Sequence, residues 1–224
     1  MAVAIITGAS RGLGATVAEG LAADGWHLVL DARGAPALAE VTQRIRGPVR
    51  AIPGDVTDPA HRKALLAAAD ELGGVDLLVN NAGILGPSPQ PALADYPAHA
   101  LREVYEVNVL APLSLIQLAL PTLRARSGAV VNITSDAATE AYPGWGGYGS
   151  AKAALEALTR VLAAEEPDLR VWAADPGDLR TEMHQLAFPG EDISDRPLPD
   201  TVLPALRALL AGRPESGRVR LAAA

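Results

Sequence analysis

Short apolar runs recur along the chain at regular intervals: VAIIT (3–7), HLVLD (27–31), VRAIP (49–53), VDLLVN (75–80), AVVNIT (129–134), LRVWAAD (169–175) and GRVRLA (217–222). Most are hydrophobic at every position, as strands covered on both faces should be. Between them the apolar residues change to helical spacing. LGATVAEGLAADG (13–25) stops at Gly25, and DPAHRKALLAAADELGG (58–74) opens with an Asp cap and Pro59 and stops at Gly73 and Gly74. Further helices are expected at about 36–46, 98–125, 150–165 and 199–211. Strand and helix alternating in this way predict an α/β fold, a seven-stranded parallel sheet with helices on both faces, wound in both directions.

The loops richest in unusual residues all follow strand ends: TGASRGLG, GDVTD, NNAGILGPSPQP, SDAATEAYPGWGG and DPGDLRTEMHQ. Ligands of open parallel sheets bind outside the carboxyl ends of the strands, so the chemistry is expected on one edge.

Composition narrows the class. At 224 residues the chain has the size of one large α/β domain, and no internal repeat or linker divides 1–224. The absence of cysteine excludes disulfides, thiolate metal sites and a cysteine nucleophile. A net charge of −7 argues against a nucleic-acid surface, and no run of about 18 uninterrupted apolar residues suggests a membrane span. Met1 leads directly into AVAIITGAS without the basic-then-apolar pattern of a leader, so a soluble cytoplasmic protein is expected. His27, His61, His99 and His184 have no metal-binding spacing, and no metal site is expected. A G-x-S-x-G nucleophile elbow is also missing.

TGASRGLG places Gly8, Gly12 and Gly14 between the first strand and the first helix, where glycines let the backbone approach a pyrophosphate. The spacing is neither GxGxxG nor a P-loop, and taken alone it is equally an ordinary glycine-rich turn. Its place after the first strand favours a nucleotide. The same order continues with DVT (55–57), NNAG (80–83), Asn108 in VNVLAP, Ser135 in VVNITS, Tyr148-x-x-x-Lys152 and PGDLRT (176–181). This series resembles the classical short-chain dehydrogenase/reductase family, from residue 3 to about 182, and the likeness weakens over the remaining residues.

The resemblance implies a Rossmann-type domain and a nicotinamide dinucleotide. Gly8, Ser10, Arg11, Gly12, Leu13 and Gly14 would cradle the phosphates, and Asp55 and Val56 would hold the adenine. Asn81, Ala82 and Gly83 would line the cofactor, with Pro176, Gly177, Leu179 and Thr181 at its carboxamide end. An acid about twenty residues past the glycines usually binds the ribose of NAD, and Asp31 fits by count. Register against the family puts Ala32 at that place instead, and a one-residue shift at a strand end reverses a side chain. Arg33 and Arg11 then match the basic residues that grip a 2′-phosphate. The expectation is NADP(H), with NAD(H) as the alternative and a surface Arg33–Asp31 pair as the bland reading.

Of 19 basic residues only Lys63 and Lys152 are lysine. Tyr148 and Lys152, one helical turn apart, share a face. Bringing a phenol from about 10 to about 7 takes roughly 4 kcal/mol, which a cation about 4 Å away can supply. By resemblance Lys152 also bonds the nicotinamide ribose, as well as Tyr148 touching the cofactor. Ser135 would polarise a substrate carbonyl, and Asn108 would hold a water in a proton relay. Without the resemblance, Asn108 reads as a tolerated polar residue in a helix.

These residues imply reduction of a ketone or aldehyde by hydride transfer, with Tyr148 as proton donor. The alternatives are an NAD-dependent alcohol dehydrogenase and a non-catalytic dinucleotide sensor. Substrate choice is expected in residues 84–91, 136–147 and a short proline-rich lid at about 182–198, with Tyr142, Trp145, Met183, His184 and Phe188 as walls. Asp136 replaces the small residue often found beside the serine. The RLAAA ending lacks the usual GG, which disfavours the common tetramer and leaves a homodimer through 98–125 and 150–165.

Overall fold

The computed structural model describes residues 1–222, so the last two residues of the RLAAA ending lie outside the described residues. The strands are β1 (Val3–Ile6), β2 (His27–Ala32), β3 (Val49–Pro53), β4 (Leu77–Asn80), β5 (Ala129–Ile133), β6 (Arg170–Asp175) and β7 (Gly217–Arg220). They form one parallel sheet in the order β3-β2-β1-β4-β5-β6-β7. The chain winds outward from β1 to β3, then returns to β4 on the other side of β1. That reversal opens a crevice above the carboxyl ends of β1 and β4.

The helices are α1 (Gly12–Ala23), α2 (Ala35–Arg44), α3 (Pro59–Glu71), α4 (Ala98–Tyr105), α5 (Ala111–Ala125), α6 (Gly146–Glu165), α7 (Glu182–Ala187) and α8 (Leu203–Gly212). β1 shows why a continuously apolar strand suits this architecture. Val3 and Ile5 join one core with Leu65 of α3 and Leu115 and Leu123 of α5. Ala4 and Ile6 join the other with Val17 and Leu21 of α1 and Leu206 of α8. Each large apolar side chain buried in this way contributes about 1.5–3 kcal/mol.

Three local features differ from the sequence expectation. Helix α6 starts at Gly146, although the pattern suggested 150. Glycine is a poor helix former, but a Cβ on Gly146 would lie 2.3 Å from Leu93 and one on Gly147 2.2 Å from the Tyr96 ring. Packing from residues fifty positions earlier therefore demands glycine there and draws Tyr148 into the first helical turn. The stretch 98–125 is continuous but contains a π turn at Glu106–Leu110. Pro112 has no N–H for the Asn108 carbonyl four residues back, and the chain widens at that point. This stretch is long and apolar enough by length and composition to cross a membrane. Its residues Leu115, Ile116, Ala119 and Leu123 instead pack into the core beneath the sheet. Finally, the segment after Thr181 is the short α7 followed by turns that lead to a 3-10 turn at Pro199–Val202 and α8.

Candidate active site

A cleft of about 770 Å³ runs along the carboxyl ends of the strands. Every catalytic and cofactor-binding residue expected from the sequence lines it except Asn108. The turn after β1 has no spare volume. A Cβ on Gly8 would lie 2.9 Å from the Ala82 Cα, and one on Gly14 2.3 Å from the Gly8 carbonyl oxygen. Arg11, at the N-cap of α1, provides no side-chain cap, so the first N–H groups of the helix remain directed at the cleft. A tight backbone cradle over a positively polarised helix start fits a dinucleotide pyrophosphate.

Thr7, which the motif reading passed over, locks this cradle to the next loop. Its Oγ1 accepts from the Asn81 and Ala82 N–H groups, both at 3.0 Å. Asn81 Nδ2 in turn donates to the carbonyls of Thr7 at 2.8 Å and Gly8 at 3.1 Å. Thr7→Val keeps the shape but strands the Ala82 N–H and leaves the Asn81 N–H with only the Val79 carbonyl, at 3.1 Å. It is expected to cost about 2 kcal/mol or more in urea unfolding and to weaken dinucleotide binding. An unchanged unfolding midpoint would show the clamp to be dispensable.

At the end of β2 the alternation turns Asp31 away from the surface. Its carboxylate is 2% exposed and lies 3.6 Å from His61 Nε2. Burial pushes the Asp31 pKa up to about 7, helped by Asp55, and burial lowers that of His61. Both groups are therefore driven towards their neutral forms. Arg33 is exposed and pairs with no acid among the described residues, so the surface Arg33–Asp31 pair does not form. Arg11 is engaged with Glu182 of α7, in a pair more than half exposed on both sides.

The Tyr148 ring is buried on α6, and its hydroxyl lines the cleft without a partner among the described residues. Lys152 lies 5.5 Å from the ring centroid, and its ammonium donates to the Ile133 carbonyl at 2.8 Å. The expected lowering of the phenol pKa does not occur in the polypeptide. Desolvation pushes it up, and the carboxylates of Asp175 and Asp136 push in the same direction. Burial also lowers Lys152, to about 8, so its cation is weakened as an acidifying partner. At neutral pH Tyr148 is thus the neutral phenol.

Asn108 stands behind the cleft. Its Oδ1 accepts from the Ile84 N–H at 3.0 Å and its Nδ2 donates to the Ile84 carbonyl at 2.8 Å. Its side chain is thereby used to fix the loop after β4, at the point where the π turn presents it. Ser135, just past β5, donates to Asp136 Oδ1 at 2.9 Å. Its back is held by an ion network, buried on its acidic side, that the motifs gave no sign of. Arg218 of β7 reaches Glu156 at 2.8 Å, Asp175 at 2.7 Å and the Ser135 carbonyl at 3.3 Å. The one available signal was the placement of Glu156 a turn after Lys152 on the same helix face.

The three segments expected to choose substrate meet at one end. Ser88 donates to the Leu186 carbonyl at 2.7 Å, joining the loop after β4 to α7. Trp145 makes an edge contact with Tyr148 and packs against Phe188, both at 5.9 Å between centroids. Trp145, Met183 and His184 line the cleft, whereas Tyr142 and Phe188 stand behind them as supports.

The sequence pattern of the family described as short chain dehydrogenase matches residues 2–192. A 3-oxoacyl-(acyl-carrier-protein) reductase of rhamnolipid biosynthesis from Pseudomonas aeruginosa is 39% identical over 172 residues, 73% of this chain and 66% of that protein. An alcohol dehydrogenase from the archaeon Thermococcus sibiricus, solved in complex with 5-hydroxy-NADP, is 31% identical with a TM-score of 0.86, covering 98% of this chain and 95% of that one. A 3-ketoacyl-(acyl-carrier-protein) reductase from Brucella melitensis, complexed with NADH, is 26% identical with a TM-score of 0.88, covering 98% and 96%. Since the family pattern spans most of the sequence and the whole fold superposes on solved relatives, the chain belongs to the short-chain dehydrogenase family and is an oxidoreductase.

Proposed function

We propose that the protein reduces a ketone or aldehyde to the alcohol with NADPH, with Tyr148 donating the proton. The observation that carries this reading is the unpartnered Tyr148 hydroxyl in the cleft, beside Ser135 and the buried ammonium of Lys152. A bound nicotinamide supplies the hydride. Tyr148 gives its proton to the carbonyl oxygen as negative charge builds there, and Lys152 stabilises the phenolate left behind. Ser135 hydrogen-bonds the same oxygen and orients it. Residues 182–198 act as the lid over this end of the cleft, with α7 tied down by the Ser88 contact.

Three features favour NADPH over NADH. The Asp31 carboxylate is turned into the protein, Ala32 ends β2, and Arg33 is free to meet a 2′-phosphate. Arg11 can join it, because an exposed pair such as Arg11–Glu182 contributes no more than about 1 kcal/mol and is readily exchanged. Arg33→Ala is expected to raise KM for NADPH about tenfold or more while leaving that for NADH nearly unchanged. Steady-state kinetics with both dinucleotides tests this. Equal use of NADH by the unsubstituted protein would overturn the choice.

A further inference from the structure

The substrate end of the cleft carries a carboxylate that pairs with no cation among the described residues. Asp136, next to Ser135, is only partly buried and lines the cleft. All its partners are neutral donors: Ser135 Oγ at 2.9 Å, the Ala137 N–H at 2.8 Å and the Tyr142 hydroxyl at 3.0 Å. Among the described residues none of the neighbouring cations pairs with it. Lys152 bonds the Ile133 carbonyl, Arg218 is shared between Glu156 and Asp175, Arg11 holds Glu182, and Arg180 turns to the Ser194 carbonyl. A second carboxylate, Asp178, lines the same end.

A second observation points to a polar ligand here. The His184 side chain is 10% exposed and lines the cleft, yet its Nε2 has no hydrogen-bond partner among the described residues. Burial lowers its pKa, so it brings no positive charge to offset the two acids. The adjoining wall is the Trp145 ring, backed by Phe188 and Tyr142. A carboxylate beside aromatic faces favours a cationic nitrogen, which the carboxylate attracts by charge and the rings through their quadrupoles.

We propose that the preferred substrate bears a cationic nitrogen on the carbon next to its reducible carbonyl, and that Asp136 receives it. This rests on the carbonyl-reductase reading above. The geometry also links recognition to activation. Ser135 has one hydroxyl proton, and Asp136 takes it at 2.9 Å. While that bond stands, Ser135 cannot donate to a carbonyl. A cation that satisfies Asp136 weakens the bond and releases the proton to the carbonyl oxygen beside it. A neutral substrate must break the bond without compensation, and an anionic one is repelled.

Three ketones of one shape test the idea: trimethyl(phenacyl)ammonium, its uncharged isostere 3,3-dimethyl-1-phenylbutan-1-one, and 2-oxo-2-phenylethanesulfonate. The comparison is kcat/KM with NADPH in the unsubstituted protein and in Asp136→Asn, which keeps the acceptor oxygen and removes the charge. Dividing one protein's values by the other's cancels the intrinsic reactivity of each ketone. The preference for the cation over its isostere is expected to fall about tenfold or more in Asp136→Asn, and the sulfonate is expected to gain. A purely structural Asp136 would lower all three equally, and that outcome, or a sulfonate preference in the unsubstituted protein, would overturn the proposal. Calorimetric binding of the three ketones to both proteins with saturating NADP⁺ separates this from the reductase reading. Cation binding that depends on Asp136 without any turnover would uphold the recognition and sink the reaction. Turnover with no dependence on Asp136 would do the reverse.

Discussion

Tyr148→Phe is expected to lower carbonyl reduction by about 10²- to 10⁴-fold, the range general acid catalysis contributes, while leaving dinucleotide affinity within a few-fold. The substitution is clean for a physical reason. The hydroxyl has no partner among the described residues, so its removal leaves no stranded donor or acceptor in the fold. The ring keeps its edge contact with Trp145. A drop in kcat can then be assigned to the missing proton and not to a displaced helix. NADPH oxidation should be followed with ketones, aldehydes, quinones and 3-oxoacyl thioesters, beside dinucleotide binding by fluorescence. Turnover that survives the substitution would exclude Tyr148 as donor. Dinucleotide binding without turnover of any class by the unsubstituted protein would favour a binding module.

The parts of this site that were legible in the sequence share one property: they are local. Gly8 and Gly14 follow a strand and open a helix, and Tyr148 and Lys152 sit a turn apart, so spacing alone describes them. What escaped depends on contacts between distant residues. The early start of α6 is set by Leu93 and Tyr96 against Gly146 and Gly147, which no periodicity reports. The role of Asn108 as a clamp on Ile84 needs the π turn that Pro112 induces and a partner 24 residues away. Arg218 reaches Ser135 across 83 residues, from the edge strand in the stretch where the family likeness is weakest. The burial of Asp31 beside His61 was legible only because strand alternation is strict, so that one residue of register reverses a side chain.

The same contrast between function and fold makes Lys152→Met an informative variant. Activity should fall about a hundredfold or more, because the phenolate formed on Tyr148 loses its cation. Stability should move the other way. Lys152 is 3% exposed, and burial takes its pKa from 10.5 to about 8. At pH 7 it is charged in both folded and unfolded states, and keeping that charge buried costs roughly 3 kcal/mol. Methionine removes this cost but leaves the Ile133 carbonyl without its donor, a loss of about 1 kcal/mol. The net gain, roughly 2 kcal/mol, corresponds to a Tm higher by about 4–8 °C for a chain of this size. The pH dependence gives the mechanism away. Between about 8 and 10.5 the unfolded lysine holds a proton that the folded one has lost, so the unsubstituted protein grows more stable as pH rises through this window. The advantage of Lys152→Met is therefore full below pH 8 and fades towards 10.5. Urea unfolding of both proteins at pH 7 and 9.5 measures it. A variant less stable than the unsubstituted protein at pH 7 would mean that the ammonium holds the fold together, and would overturn the burial cost argued from its lowered pKa.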